Sequence, residues 1–355
     1  MTQDTMKALV LHGIGDLRYE QVPVPKIAPG EVLVRVVAAG ICGSDLPRVF
    51  EHGAYHYPLI PGHEFSGVVV KCGHGVEFPI GMSVVVKPLI PCGRCDFCRI
   101  GAFAQCVAYD YLGSRRDGGF AEYVAVPAAN LVPLPAGLSL YEAALTEPVA
   151  VALHALQQGD VHPGDSVAIL GCGPIGMILA QWARIRGAGR IMLIDVDSRR
   201  LAMAQKLWLG DTCDARQQDP VDWVMGLTGG RGADLVIEAA GVPRTVAQSI
   251  LMARSLGRVV VLGNPSGEVS LSRTTMSQIL RKELTIKGSW NSRFVSLPVD
   301  EWQVAVSCLA TRRVTVRELV SHRIPLAQGV QMFRRMFDHK VAYARVLLIM
   351  DEKSE

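Results

Sequence analysis

Val167-Ala168-Ile169-Leu170 runs directly into Gly171-Cys172-Gly173-Pro174-Ile175-Gly176, and an apolar, helix-forming stretch follows. This G-x-G-x-x-G between strand and helix leaves few folds open. The first glycine permits a tight turn, the second lets a pyrophosphate approach the main chain, and the third lets the helix pack closely on the strand. The helix start presents its positive dipole end to the phosphates, with Pro174 and Ile175 in the same loop. The next apolar run, Ile191-Met192-Leu193-Ile194, ends in Asp195, which follows Gly176 at the spacing of about 20 residues expected for a ribose-binding acid. A carboxylate there accepts hydrogen bonds from a 2′-hydroxyl and repels a 2′-phosphate, so the pattern favours NAD over NADP. Arg199 and Arg200 keep NADP open, since a basic side chain could serve its 2′-phosphate; their plainer reading is a solvated helix start.

The loop belongs to a longer alternation. Apolar strands are expected at 166–170, 190–196, 233–239, 257–262 and 284–287 with helical stretches between several of them, the signature of a doubly wound parallel sheet. Upstream, β-type runs at 7–11, 31–37, 65–71, 82–87 and 121–126 are cut at short intervals by Gly and Pro, which predicts a compact β-rich unit with few helices before residue 139. Residues 139–157 read as helix. After Trp290 the alternation ends: helical segments near 299–311 and 326–339 precede a terminal strand at 343–350, and this tail is expected to return to the first domain. At 355 residues and 49% hydrophobic, the chain can bury two cores. The expected α/β architecture is one domain of residues 1–157 with 290–355 and a dinucleotide-binding domain of residues 158–289.

Thirty-six Lys and Arg against 33 Asp and Glu leave a charge of +3, too balanced to suggest a nucleic acid partner. Met1–Lys7 has no cationic stretch leading into an apolar core, and no apolar run reaches the roughly 18 residues of a membrane span, so no membrane association and a cytoplasmic location are expected. Nine cysteines then point to metal or catalytic thiolates rather than disulfides.

Four of them are crowded: Cys92, Cys95, Cys98 and Cys106 form C-x2-C-x2-C-x7-C within residues 91–107. Four thiolates on one short loop can close a tetrahedral shell around zinc with no open position, which makes the site structural. An iron–sulfur cluster is the competing metal. A second set is dispersed: Cys42 in Gly40-Ile41-Cys42-Gly43-Ser44-Asp45, His63 and Glu64 in Pro61-Gly62-His63-Glu64, and Glu147 in Thr146-Glu147-Pro148. Taken singly, His63 reads as a hydrogen-bonded structural residue or as a ligand.

With Gly62-His63-Glu64, the four-cysteine lobe, Asp117-Gly118-Gly119-Phe120-Ala121-Glu122-Tyr123 and the glycine loop in that order, the chain resembles the zinc-dependent medium-chain alcohol and polyol dehydrogenases over nearly its whole length. The resemblance implies a GroES-like catalytic domain interrupted in sequence by a Rossmann domain, an active site in the cleft between them, two zinc ions per chain, NAD, and a homodimer or tetramer. It makes Cys42, His63 and Glu147 the catalytic zinc ligands and Glu64 a nearby carboxylate that ligates directly or through water. Cys92, Cys95, Cys98 and Cys106 then hold the structural zinc. Ser44 is the implied first step of a proton relay or, alternatively, a turn hydroxyl; His52 and His56 are later relay members or plain loop residues. Leu262-Gly263-Asn264 falls where the family contacts the nicotinamide. The chemistry suits the residues: losing hydride requires a secondary alcohol to become alkoxide-like, and an ion with an open coordination position supports that.

Matches at Cys42–Arg48, His56-Tyr57-Pro58, Tyr111–Phe120, Leu280–Thr285 and Gly288-Ser289-Trp290 resemble the branch that acts on polyol phosphates. Arg48, Arg115 and Arg116 are the cationic candidates for the phosphate, with ion pairing the alternative for each. Trp290 and Asn291 either wall the substrate pocket or pack a hinge. Sorbitol-type, other polyol and threonine dehydrogenases are alternative activities, and a non-catalytic nucleotide-binding homologue is a third reading.

Overall fold

The computed structural model describes residues 4–295 and 298–350; Met1–Gln3, part of the segment read above for a leader, lie outside them. The chain forms two compact units, Met1–Pro148 with Arg293–Glu355, and Val149–Ser292.

In the first unit β1 (Thr5–Gly13) and β2 (Asp16–Pro23) form an antiparallel hairpin. β3 (Glu31–Ile41) is the spine: Val32, Val34 and Val36 on one face and Leu33 and Val37 on the other are all buried, so this β-branched run is covered on both sides. The following strands are β4 (Glu64–Cys72), β5 (Ser83–Val86), β6 (Leu89–Ile90), β7 (Asp110–Tyr111), β8 (Tyr123–Pro127) and β9 (Leu131–Pro133). Leu9, Leu11, Phe65, Phe120 and Phe333 fill the core of this unit.

The second unit is built on β10 (Ser166–Leu170), β11 (Arg190–Asp195), β12 (Asp211–Asp214), β13 (Ala233–Glu238), β14 (Ala253–Val261) and β15 (Thr285–Gly288). They pair in parallel in the order β12-β11-β10-β13-β14-β15. Counted within the unit this is 3-2-1-4-5-6, the Rossmann order, and its reversal point lies at the end of β10, where the glycine loop begins. The helix Pro174–Ile185 covers that strand with Met177, Ile178, Ala180 and Trp182.

After the second unit, β16 (Val320–Pro325) and β17 (Arg345–Ile349) return to the first. They complete a seven-stranded sheet in the order β16-β17-β3-β4-β5-β9, with β8 also paired to β3. The expected return of the tail is therefore met by antiparallel pairing of β17 with β3.

Three features differ from the expectations. The helix read over 139–157 is two, Leu140–Ala143 and Thr146–Gln158: the Thr146 hydroxyl bonds Ala143 O at 2.7 Å, and Pro148, lacking an N–H, is tolerated in the first turn of the new helix. The cut between units falls inside that second helix rather than after residue 157, and Trp182 Nε1 donates to Val149 O at 3.0 Å within the second unit. β12 had no apolar signature because of its Asp-Thr-Cys-Asp residues only Cys213 is buried. No helix among the described residues is long and apolar enough to cross a membrane.

Candidate active site

β17, β3 and β4 lie side by side, and their registers, Val346 opposite Ile41 and Gly40 opposite Glu64, carry Arg345, Cys42 and His63-Glu64 to one end of the sheet. There the Cys42 sulfur, a His63 ring nitrogen and a Glu64 carboxylate oxygen lie within 4.8 Å of one another. Glu64 and Arg345, 281 positions apart in sequence, thus meet because three strands end together. Gly40 makes room, since a Cβ there would stand 2.5 Å from Glu64 Oε2.

Asp45 orients the histidine. It is fully buried, its Oδ2 accepts the Cys42 N–H at 2.9 Å, and its Oδ1 lies 3.5 Å from His63 Nδ1. Holding Nδ1 in this way leaves Nε2 as the free ligand nitrogen, the carboxylate–histidine arrangement of metal sites. Burial opposes protonation of His63, but Asp45 and the Cys42 sulfur outweigh it and hold the imidazole pKa well above its usual value.

Glu64 is gripped from the other side. Arg345 Nη1 donates to Glu64 Oε1 at 2.8 Å and to Oε2 at 3.0 Å, and both residues are buried. Glu147, at the start of the helix Thr146–Gln158, is 7% exposed. Burial raises its carboxyl to about 7; His63 and Arg345 oppose the rise while Glu64 and Asp45 add to it. Among the described residues Glu147 is not in the 4.8 Å group, which Glu64 joins because the β3–β4 register delivers it directly. Arg345→Met should destabilise the protein by about 3–5 kcal/mol in denaturant titrations, because it strands a buried carboxylate, and Glu64→Gln in the same chain should recover most of that loss. A single-variant cost below about 1 kcal/mol would contradict this pairing.

The four-cysteine lobe closes locally. Cys95 Sγ lies 3.5 Å and Cys92 Sγ 3.9 Å from Cys98 Sγ, and the Cys92 N–H donates to Cys106 Sγ at 3.3 Å. A tetrahedral zinc site with bonds of about 2.3 Å has sulfur–sulfur edges of about 3.8 Å, so these four side chains fit that ion. The N–H groups of Cys98 and Val107 lower the Cys95 thiol to about 6, which favours the ligating thiolate.

In the second unit each glycine of the loop has a distinct job. Gly171 has φ +99, a conformation that suits glycine, and a Cβ on Gly176 would collide with Gly171 O. A Cβ on Gly173 would meet nothing within 4 Å, so the main chain is open there to a pyrophosphate. Asp195 is buried; its Oδ2 accepts the Cys172 N–H at 2.7 Å and lies 3.5 Å from Arg200 Nη1. Arg199 pairs with Asp197 at 2.7 Å.

An alcohol dehydrogenase GroES-like domain is matched at residues 28–136 and a zinc-binding dehydrogenase at residues 174–311. Galactitol 1-phosphate 5-dehydrogenase of Escherichia coli (strain K12) is 37% identical over 346 residues, covering 97% of this chain and all of that one. The chain belongs to the zinc-binding dehydrogenases of the medium-chain alcohol dehydrogenase family. L-threonine 3-dehydrogenase of Bacillus licheniformis is 35% identical over 97% of the chain, and sorbitol dehydrogenase of Bacillus subtilis 31% over 97%; they are covered to 99% and 97%. The crystal structure of galactitol-1-phosphate dehydrogenase from Escherichia coli superposes with a TM-score of 0.92 at 36% identity, over 97% of this chain and all of that one. The chain is thus an oxidoreductase, and zinc and a nicotinamide cofactor fit its donor sets.

The remaining sequence candidates of this zinc-binding dehydrogenase divide. Ser44 is exposed in the turn between Cys42 and Asp45. Arg116 is held by Glu31 at 3.1 Å and Asp110 at 3.6 Å, which answers its charge within the fold. Trp290 is 59% exposed, and Asn291, at φ +61, accepts the Ser292 N–H on its own Oδ1. The N–H groups of Leu262 and Gly263 donate to Glu238 O at 2.9 and 3.0 Å. Sequence reasoning missed Asp45, Arg345 and Glu238. Glu238 is fully buried, and its Oε1 accepts the N–H groups of Ala240 and Gly241 and the Thr245 hydroxyl. A usable signal existed for two of them: Arg345 opens and Glu238 closes an otherwise largely apolar strand.

Proposed function

We propose that this dehydrogenase oxidises a secondary alcohol of a polyol phosphate with NAD, most specifically galactitol 1-phosphate to tagatose 6-phosphate. The observation that carries the reading is the convergence of Cys42, His63 and Glu64 in a chain that also bears the glycine loop and Asp195. Similarity over the full length of a galactitol 1-phosphate 5-dehydrogenase supports the substrate.

Cys42, His63 and the Glu147 carboxylate would hold the catalytic zinc, with Glu64 beside them, while Cys92, Cys95, Cys98 and Cys106 would hold a second, structural ion. When bound, the catalytic ion supplies Lewis-acid stabilisation of an alkoxide-like oxygen. Asp45 keeps the His63 tautomer and ring orientation. Arg345 holds Glu64 in place through both carboxylate oxygens. The exposed Ser44 hydroxyl takes the alcohol proton and passes it to solvent. Gly171, Gly173, Pro174, Ile175 and Gly176 receive the pyrophosphate, and Asp195 with Arg200 receives the ribose; the Asp195 carboxylate favours NAD. Leu262 and Gly263 are the main-chain neighbours of the nicotinamide. A cytoplasmic homo-oligomer is part of the same reading.

A substrate panel tests it. NAD reduction by the holoenzyme should show kcat/KM for galactitol 1-phosphate at least about 100-fold above galactitol, sorbitol or threonine. A higher value with sorbitol or threonine overturns the substrate and keeps the reaction class; no turnover on any alcohol overturns both.

A further inference from the structure

Adjacent arginines in the loop after β7 go to different fates. Arg116 lies between Glu31 and Asp110. Arg115 faces no carboxylate among the described residues. Its guanidinium lies 4.4 Å from the centre of the Tyr55 ring and 4.2 Å from that of Tyr109, donating to Tyr109 O at 3.1 Å and to the Tyr55 hydroxyl at 3.4 Å. Two of its five N–H groups are so used, and the planar fork is held between two rings with donors and charge to spare.

The position of this fork relative to the metal ligands is set by the same loop. The Tyr109 ring meets the Tyr111 ring at 6.3 Å, and Tyr111 meets His63 at 5.9 Å, so an aromatic wall leads from the ligand histidine to the guanidinium. The N–H groups of Ser114, Arg115 and Arg116 all turn onto Tyr111 O, and His56 Nε2 donates to Arg115 O at 3.0 Å. Gly119 N–H bonds Gly62 O at 2.8 Å, and a Cβ on Gly118 would collide with that same carbonyl. The loop therefore packs main chain against main chain on the residue preceding His63.

Resting on the polyol-phosphate reading, we propose that Arg115, with the Tyr55 hydroxyl beside it, binds the phosphate monoester of the substrate while the alcohol to be oxidised lies at Cys42 and His63. In an extended six-carbon polyol phosphate the reacting carbon and the phosphorus are roughly 7 Å apart, so the phosphate must be held away from the ligand histidine, on the side to which the aromatic wall leads. A guanidinium fork matches a phosphate bidentately. Arg48 is the rival cation: its Nε is buried without a partner, and it lies one turn beyond Asp45.

The test is the ratio of kcat/KM for galactitol 1-phosphate to that for galactitol, measured on zinc-loaded wild type, Arg115→Gln, Arg115→Lys, Arg116→Gln and Arg48→Gln, together with inhibition of galactitol oxidation by inorganic phosphate. Arg115→Gln should lower the ratio about 10- to 100-fold, mainly through KM, and weaken phosphate inhibition by a similar factor. Arg115→Lys should lose less, and Arg116→Gln should keep the wild-type ratio. An unchanged ratio in Arg115→Gln, an equal fall for both substrates, or a fall confined to Arg48→Gln overturns the proposal. A wild type without preference for the phosphorylated substrate overturns the substrate reading instead; Arg115 is then judged by phosphate inhibition alone, and equal inhibition of wild type and Arg115→Gln, or none of either, overturns it as well.

Discussion

Cys42→Ser should lower kcat/KM by at least about a thousandfold and leave a folded chain carrying one zinc instead of two. The reason is chemical rather than architectural. A serine hydroxyl stays protonated at neutral pH and is a poor zinc ligand, and Lewis-acid stabilisation of a developing alkoxide is worth several kcal/mol. The fold has little to lose, because Cys42 lies just beyond the end of β3 and its N–H still donates to Asp45 Oδ2. Metal analysis, steady-state kinetics and a thermal melt on one preparation separate these effects. Full activity with the zinc lost would sink the assignment of Cys42; a collapsed melt would show instead that the residue serves the fold.

Cys98→Ser should have the complementary outcome: loss of the other zinc, with cleavage by added protease concentrated between residues 92 and 106. Cys98 is buried among the sulfurs, while the lobe around it has little apolar support, Ile100 being 79% exposed and Val107 73%. A segment of that kind has no core of its own, so metal ligation takes over that role and removing one of four thiolates unfolds it locally. The Cys42 site should keep its ion. Limited proteolysis with metal quantification checks this, and a protease-resistant variant that still holds two zincs would contradict the structural role of the lobe.

How much of this was legible beforehand follows from how local each signal is. The glycine loop and the parallel alternation could be read because strand, turn and helix follow one another within some 20 residues. The four cysteines could be read for the same reason. The dispersed site could not be derived from spacing: Cys42, His63 and Glu147, with Glu64 nearby, became a set by resemblance, and the registers of β3 with β4 and β17 show why Cys42, His63 and Glu64 meet. Those registers also bring Arg345 to Glu64, a pairing invisible in sequence. Arg115 and Arg116 were indistinguishable because what separates them, Tyr55 and Tyr109 on one side and Glu31 and Asp110 on the other, comes from different parts of the chain. The polar edge strand β12 and the helix break at Ala144-Leu145 were lost because neither carries an apolar period.

The most direct test of the zinc-dependent dehydrogenase is to withdraw the Cys42–His63 ion with a chelator and return it, following zinc per chain and NAD reduction on galactitol 1-phosphate in the same samples. One equivalent of zinc and the activity should disappear together and come back together with added zinc. Undiminished NAD reduction by protein shown to have lost that equivalent would contradict the assignment.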